Sequence, residues 1–120
     1  MKIVNRPQFM ELPPGTLYRK FITEFAFEEL EVKFESLPSE KNPEYGDFVC
    51  MPLSDIDWNG PNGMFDRLED MMEKGASYPL DLDCAGRDGC FEREAMFLVY
   101  EKDDVVALRN FLNGLLEDLG

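Results

Sequence analysis

The stretch AMFLVYEKDDVVALRNFLNGLLEDL, residues 95–119, constrains this chain more than any other. Residues 95–100 are a short continuous apolar run rich in β-formers, which suits a central strand covered on both faces. Asp103 or Asp104 can cap the helix that follows, because a carboxylate there takes up orphan N–H groups at the positive end of the dipole. Val105, Leu108, Phe111, Leu112, Leu115, Leu116 and Leu119 then recur at helical spacing and make one broad apolar face. Such a face has to be covered, and the strand just before it belongs to the obvious sheet. Leu108, Phe111, Leu112 and Leu115 are therefore expected to be buried against the strand carrying Phe97 and Val99. Gly114 inside the helix, with Glu117 and Asp118 at its negative end, weakens the last turn.

Upstream, residues 2–4 read as a short strand, and Asn5 can cap one helical turn through Phe9 and Met10. Pro13, Pro14 and Gly15 end that turn, since proline cannot continue a helix. Residues 16–21 read as a strand. Phe21, Phe25 and Phe27 are odd-numbered, whereas Leu30, Val32 and Phe34 are even, so a turn or bulge is expected near Glu28 and Glu29. Beyond it the alternation puts Leu30, Val32 and Phe34 in the core, and Glu29, Glu31, Lys33 and Glu35 in water. Residues 38–46 form a polar loop, and 47–53 a strand that Pro52 ends or places at an edge. A second loop, SDIDWNGPNG, leads to a helix over 62–74 whose left-handed C-cap is Gly75. Residues 78–83 alternate as a strand, followed by the turn CAGRDG. The expected fold is α+β: a mostly antiparallel sheet of about four to six strands packed with two main helices, 62–74 and 103–118. Element order should be β–α–β–β–β–α–β–β–α, in a single domain spanning 1–120.

Charge is the one extreme property. Twenty-five acids against twelve bases leave −13. Direct nucleic-acid binding is disfavoured, because each phosphate contact wants Lys or Arg, and a basic partner would be steered in instead. No apolar run has membrane-spanning length, and the opening MKIVNRPQFM lacks the apolar stretch of a secretory signal, so a cytoplasmic location is expected. Cys50, Cys84 and Cys90 form no C-x-x-C pair, and there is no histidine. Buried free thiols in a reducing compartment, and no zinc site, are the expectation.

The residue patterns bear on three kinds of chemistry. Asp81, Asp83, Gly86 and Glu92 occupy places of a calcium loop, but Ala85 falls where an oxygen ligand is needed, so no metal is expected. No nucleophile–base constellation, P-loop or G-x-G-x-x-G occurs, so neither catalytic residues nor a cofactor are expected. The remaining candidate is acidic. Asp66, Glu69, Asp70 and Glu73 recur at spacings of three and four, which lines their carboxylates along the second helix. Asp55 and Asp57 in the preceding loop can extend the row. Trp58 between them serves either as a partner anchor or as a lid folded back on the core. These seven residues are the expected partner-binding set, the alternative being a solvated helix face.

The opening IVNRPQFMELPPGTLYRKF and, more loosely, LDLDCAGRDGCF resemble small uncharacterised acidic proteins encoded by bacteriophages and prophages. The resemblance implies an accessory protein acting in the host cytoplasm, and it transfers no functional residues. Together with the charge it points to a non-enzymatic binding protein that engages a basic surface of a host or phage protein. Charge mimicry that inhibits a nucleic-acid-binding protein is the sharpest form of that reading. A structural or assembly module whose charge serves solubility is the alternative, and a small hydrolase or ligand-binding domain is third.

Overall fold

The computed structural model describes residues 1–23, 26–40, 46–60 and 62–120. Among the described residues the elements follow in the expected order: β1 (Lys2–Asn5), α1 (Arg6–Met10), β2 (Thr16–Thr23), β3 (Ala26–Leu37), β4 (Asp47–Pro52), α2 (Met64–Lys74), β5 (Gly86–Arg87), β6 (Met96–Val99) and α3 (Lys102–Leu119). The strands form one sheet in the order β1-β6-β2-β3-β4-β5, antiparallel at every step. The class is α+β, as the patterning predicts. No helix among the described residues is long and apolar enough to cross a membrane.

Local chemistry sets several boundaries. Asn5 Oδ1 accepts from the Gln8 N–H at 3.0 Å, and Gln8 Oε1 accepts from the Asn5 N–H at 3.0 Å, closing a capping box at the start of α1. Gly75 ends α2 at φ 67°, a left-handed cap that a side chain would strain. The β2–β3 pairing steps from Arg19↔Leu30 to Phe21↔Phe27, so the extra residue falls at Glu28 and Glu29, where the register change is expected. Phe25, part of that pattern, lies outside the described residues, as do 41–45 of the expected loop.

The core lies on one face of the sheet. Val4, Tyr18, Phe48, Ala95, Phe97 and Val99 converge there, and α1 lays a fully buried Phe9 across them. Its ring meets Tyr18, Phe48 and Phe97 at centroid distances of 4.7, 5.0 and 3.9 Å. Offset and edge-on ring contacts of this kind add to area burial, which lets one short helix close a core.

Strand β3 is turned the other way from expectation. Tyr18 pairs with Glu31, so the register carries Glu31 and Lys33 to the core face and Leu30, Val32 and Phe34 to the opposite one. Lys33 is completely buried, and the three apolar residues are half-buried. A period of two separates the faces of a strand but does not say which one a covering helix will take.

Two further expectations are corrected. Residues 78–83 make no strand; an isolated bridge, Ile56↔Leu80, holds them to the 55–57 loop, and β5 falls inside the predicted turn. Helix α3 begins at Lys102 with Glu101 as N-cap, and Asp104 at the third helical position accepts the Glu101 N–H at 2.8 Å. It buries no residue: Leu108 is half-buried, and Phe111, Leu112 and Leu115 are exposed. The side chains of Phe97 and Val99 point to the face that α1 covers, so α3 does not supply their lid. The radius of gyration, 16.9 Å, exceeds the ~13.6 Å of a compact chain of this length.

Candidate functional site

Helix α2 carries the expected acidic row, and Arg67 and Asp70 tie it to the segments on either side. Arg67 Nη1 donates to the Asp57 carbonyl, its guanidinium lies 3.8 Å from the Asp57 carboxylate, and it stacks 4.4 Å over the Tyr78 ring. Asp70 accepts from the Tyr78 hydroxyl at 3.0 Å and pairs with Lys74 at 3.4 Å. That hydrogen bond to Asp70 pushes the Tyr78 phenol above its ordinary value. Asp57 and Asp70 are therefore engaged in holding α2, which corrects the expectation of four free carboxylates on the helix.

Asp66, Glu69 and Glu73 remain. All three are exposed, and no ion pair reaches them among the described residues. Beside the row, Phe65 and Met72 are 74% and 77% exposed, and α2 buries no residue at all. Asp55 is half-buried, with Oδ1 accepting the Ile56 N–H at 2.9 Å. Trp58 is half-buried, between the two roles expected of it. Its loop is tight: a Cβ on Gly63 would sit 1.8 Å from the Trp58 carbonyl oxygen, so only glycine fits there.

A second set of charges, which sequence reasoning missed, is buried on the core face. Arg6, Lys20 and Lys33, three of the twelve basic residues, are turned inward. The outer surface keeps fewer bases to neutralise its acids as a result. Lys20 pairs with the nearly buried Asp88 at 2.7 Å and with Glu92 at 3.8 Å. Burial pulls its pKa down, but Asp88, with smaller contributions from Cys90 and Glu92, turns the net shift upward. Lys33 Nζ donates to the Leu12 and Phe34 carbonyls, both at 2.9 Å, with the Phe9 ring 5.7 Å away; burial lowers its pKa. Arg6 donates to the Gly46 and Glu92 carbonyls. One signal was available for Lys20: it sits two residues from Tyr18, so a buried Tyr18 carries it to the same face. Lys33 gave none, since the alternation of apolar and charged residues along its own strand places it on the water side.

Asp47 is the buried acid. It accepts the Phe48 N–H at 2.9 Å, the Gly89 N–H at 3.0 Å and Arg87 Nε at 3.1 Å. Burial alone would raise its pKa, but these donors together hold it below the ordinary value. Asp47 and Arg87 also line a cleft of about 480 Å³ with Leu37, Pro38 and Phe91. Phe91 adopts φ 52°, a left-handed conformation that costs a bulky residue.

Among the described residues no three acidic or cysteine side chains converge as a metal site would require. Glu92 turns to Lys20, and Asp81 Oδ1 accepts the Asp83 N–H at 2.9 Å. Of the three free thiols, Cys50 and Cys84 are half-buried and Cys90 is exposed, against the expectation that all are buried. Burial pushes Cys50 up to about 12. No protein-family model, curated protein or solved structure matches this chain.

Proposed function

We propose that this protein is a small, acidic, non-enzymatic binding protein of bacteriophage or prophage type. It engages a basic surface of a host or phage protein through α2, in the host cytoplasm. The observation that carries the reading is the exposed row Asp66, Glu69 and Glu73, which no ion pair reaches among the described residues. At the helical rise its members stand about 4.5 and 6 Å apart along the axis. One strand of duplex DNA carries a charge every ~3.4 Å, so the row approaches that linear density. The whole surface does not: −13 over 8552 Å² is one charge per about 660 Å², against roughly 100 Å² for duplex DNA. Mimicry of nucleic acid by this protein is therefore a property of α2 and not of its bulk charge. Phe65 and Met72 at the edge of the row supply apolar contact that a charged partner alone would not need.

The test begins with affinity capture from bacterial lysate, which supplies the partner. Association is then measured against ionic strength for the protein and for the double variant Asp66→Lys, Glu69→Lys. On-rates should fall at least about tenfold in the variant at low salt and converge as salt rises. The control, Glu40→Lys with Glu94→Lys, makes the same charge change on remote exposed residues. Equal losses from both pairs would leave only bulk charge and end the α2 reading.

A further inference from the structure

Helix α3 presents an apolar face that stays uncovered among the described residues. Val105, Leu108, Leu112, Leu115 and Leu119 are separated by three, four, three and four residues, the a/d spacing of a heptad. Phe111 and Leu116 fall at the flanking g and e places, and the outer places carry Asn110, Asn113, Gly114 and Glu117. Phe111, Leu112, Leu115, Leu116 and Leu119 are between 42% and 84% exposed. A helix of this length with two asparagines and a glycine inside is marginal by itself and needs a packed face. The spacing asks for another helix with the same 3.5-residue period.

The surface area points to a partner of substantial size. A compact monomer of this mass exposes ~6,700 Å², and this chain exposes 8552 Å². At ~150–200 Å² per large apolar residue, the α3 face leaves roughly 600 Å² on each chain, or about 1,200 Å² when two such faces meet. That reaches the lower bound of a specific, stable interface.

We propose that two copies of this chain pair through α3 as a parallel, in-register coiled coil. This does not rest on the α2 reading, because it uses a different helix and no basic partner. Charge selects the arrangement. In a parallel pair each g residue faces the e residue five places on in the other helix. Asp104 then meets Arg109 of the second copy, and Phe111 meets Leu116. Within one chain the Met1 amine and the Glu101 N–H both use Asp104 Oδ2, and Arg109 contacts only the neighbouring Asn110 amide oxygen among the described residues. Asp104 Oδ1 and Arg109 Nη1 are thus left for the second copy. An antiparallel pair sets g against g and e against e, so Asp104 would face Asp118 and Arg109 would face its own copy, while the acids at the helix ends crowd one another in either arrangement. The net charge opposes any self-association, so pairing must tighten as salt screens it, the reverse of binding to a basic partner.

Analytical ultracentrifugation of the full chain at tens of micromolar and near-physiological salt tests the proposal. A species of twice 13.9 kDa is expected, tightening as salt rises. Leu112→Glu with Leu115→Glu should give a monomer. Arg109→Asp, on an exposed position that leaves the fold alone, should weaken the dimer by roughly tenfold, since the two-fold axis inverts two pairs at once. For orientation, Gly120→Cys in a Cys84→Ser, Cys90→Ser background should cross-link between chains on oxidation. Antiparallel helices would hold those ends about 27 Å apart and prevent it. A monomer at these concentrations overturns the proposal, as does a dimer indifferent to the Leu112 and Leu115 changes. A dimer without the Gly120→Cys cross-link, or unmoved by Arg109→Asp, overturns the parallel arrangement.

Discussion

The ring of Phe9 lies flat on that of Phe97, with centroids 3.9 Å apart and planes 5° from parallel. A helix of five residues thus delivers the side chain that closes the core over β6. Phe9→Ala should cost about 3–5 kcal/mol, because it removes the lid and leaves a cavity among Tyr18, Phe48 and Phe97. Urea unfolding measures this directly. A loss under about 1 kcal/mol would mean that α1 is not what covers the sheet.

Asp47 should make the fold acid-sensitive. Its pKa is depressed in the folded protein, so its contribution is present above the ordinary value of 3.8 and is lost as pH falls below it toward the folded value. Asp47→Ala leaves the Phe48 and Gly89 N–H groups without their acceptor and should cost about 2–3 kcal/mol at neutral pH. The deficit should shrink below pH ~4, where the unfolded chain's carboxylate takes up its proton first and the native one follows at lower pH. A deficit independent of pH would show that packing, not charge, is what Asp47 supplies.

Lys33 works in the opposite sense. Burial lowers its folded pKa beneath 10.5, so the charged form weighs against the fold at neutral pH. As pH climbs from the folded value to 10.5 the native state sheds its proton before the unfolded chain does, and this group's penalty disappears. Lys33→Met keeps the stem over Phe9 without the charge. Its stability difference from wild type should drift in favour of wild type across that alkaline window. Taking the difference cancels the other alkaline titrations, including that of Lys20, whose raised pKa means stability lost as pH rises through it. A flat difference across the window would show that the ammonium is not strained by burial.

Gly114 lies within α3, and a Cβ there meets nothing within 4 Å. Gly114→Ala should therefore stabilise the protein by roughly 0.5–1 kcal/mol through lost backbone freedom in the unfolded chain. Its place is off the apolar seam, so the association state should not change. Increased helical circular dichroism and a higher melting temperature are the expected readouts, and a destabilised variant would place a contact at Gly114 that the single chain lacks.

What the sequence determined by itself was local. The order of the elements, the Asn5 and Gly75 caps, the Glu28–Glu29 bulge and the acidic row of α2 all follow from side chains within a few residues of one another. Hydrogen-bonding reach and helical or strand periodicity are properties of such short windows. The tertiary structure decided which faces were covered. It placed Lys33 under Phe9 and left Leu30, Val32 and Phe34 on the other side, because the pairing of Tyr18 with Glu31 fixes both at once. It also tied Asp57 and Asp70 to Arg67, Lys74 and Tyr78, thinning the acidic row to three. Most of all it left the α3 face open. An apolar stripe states that something must cover it, but the identity of the cover depends on where the chain's other surfaces end up, and no pattern along α3 carries that information.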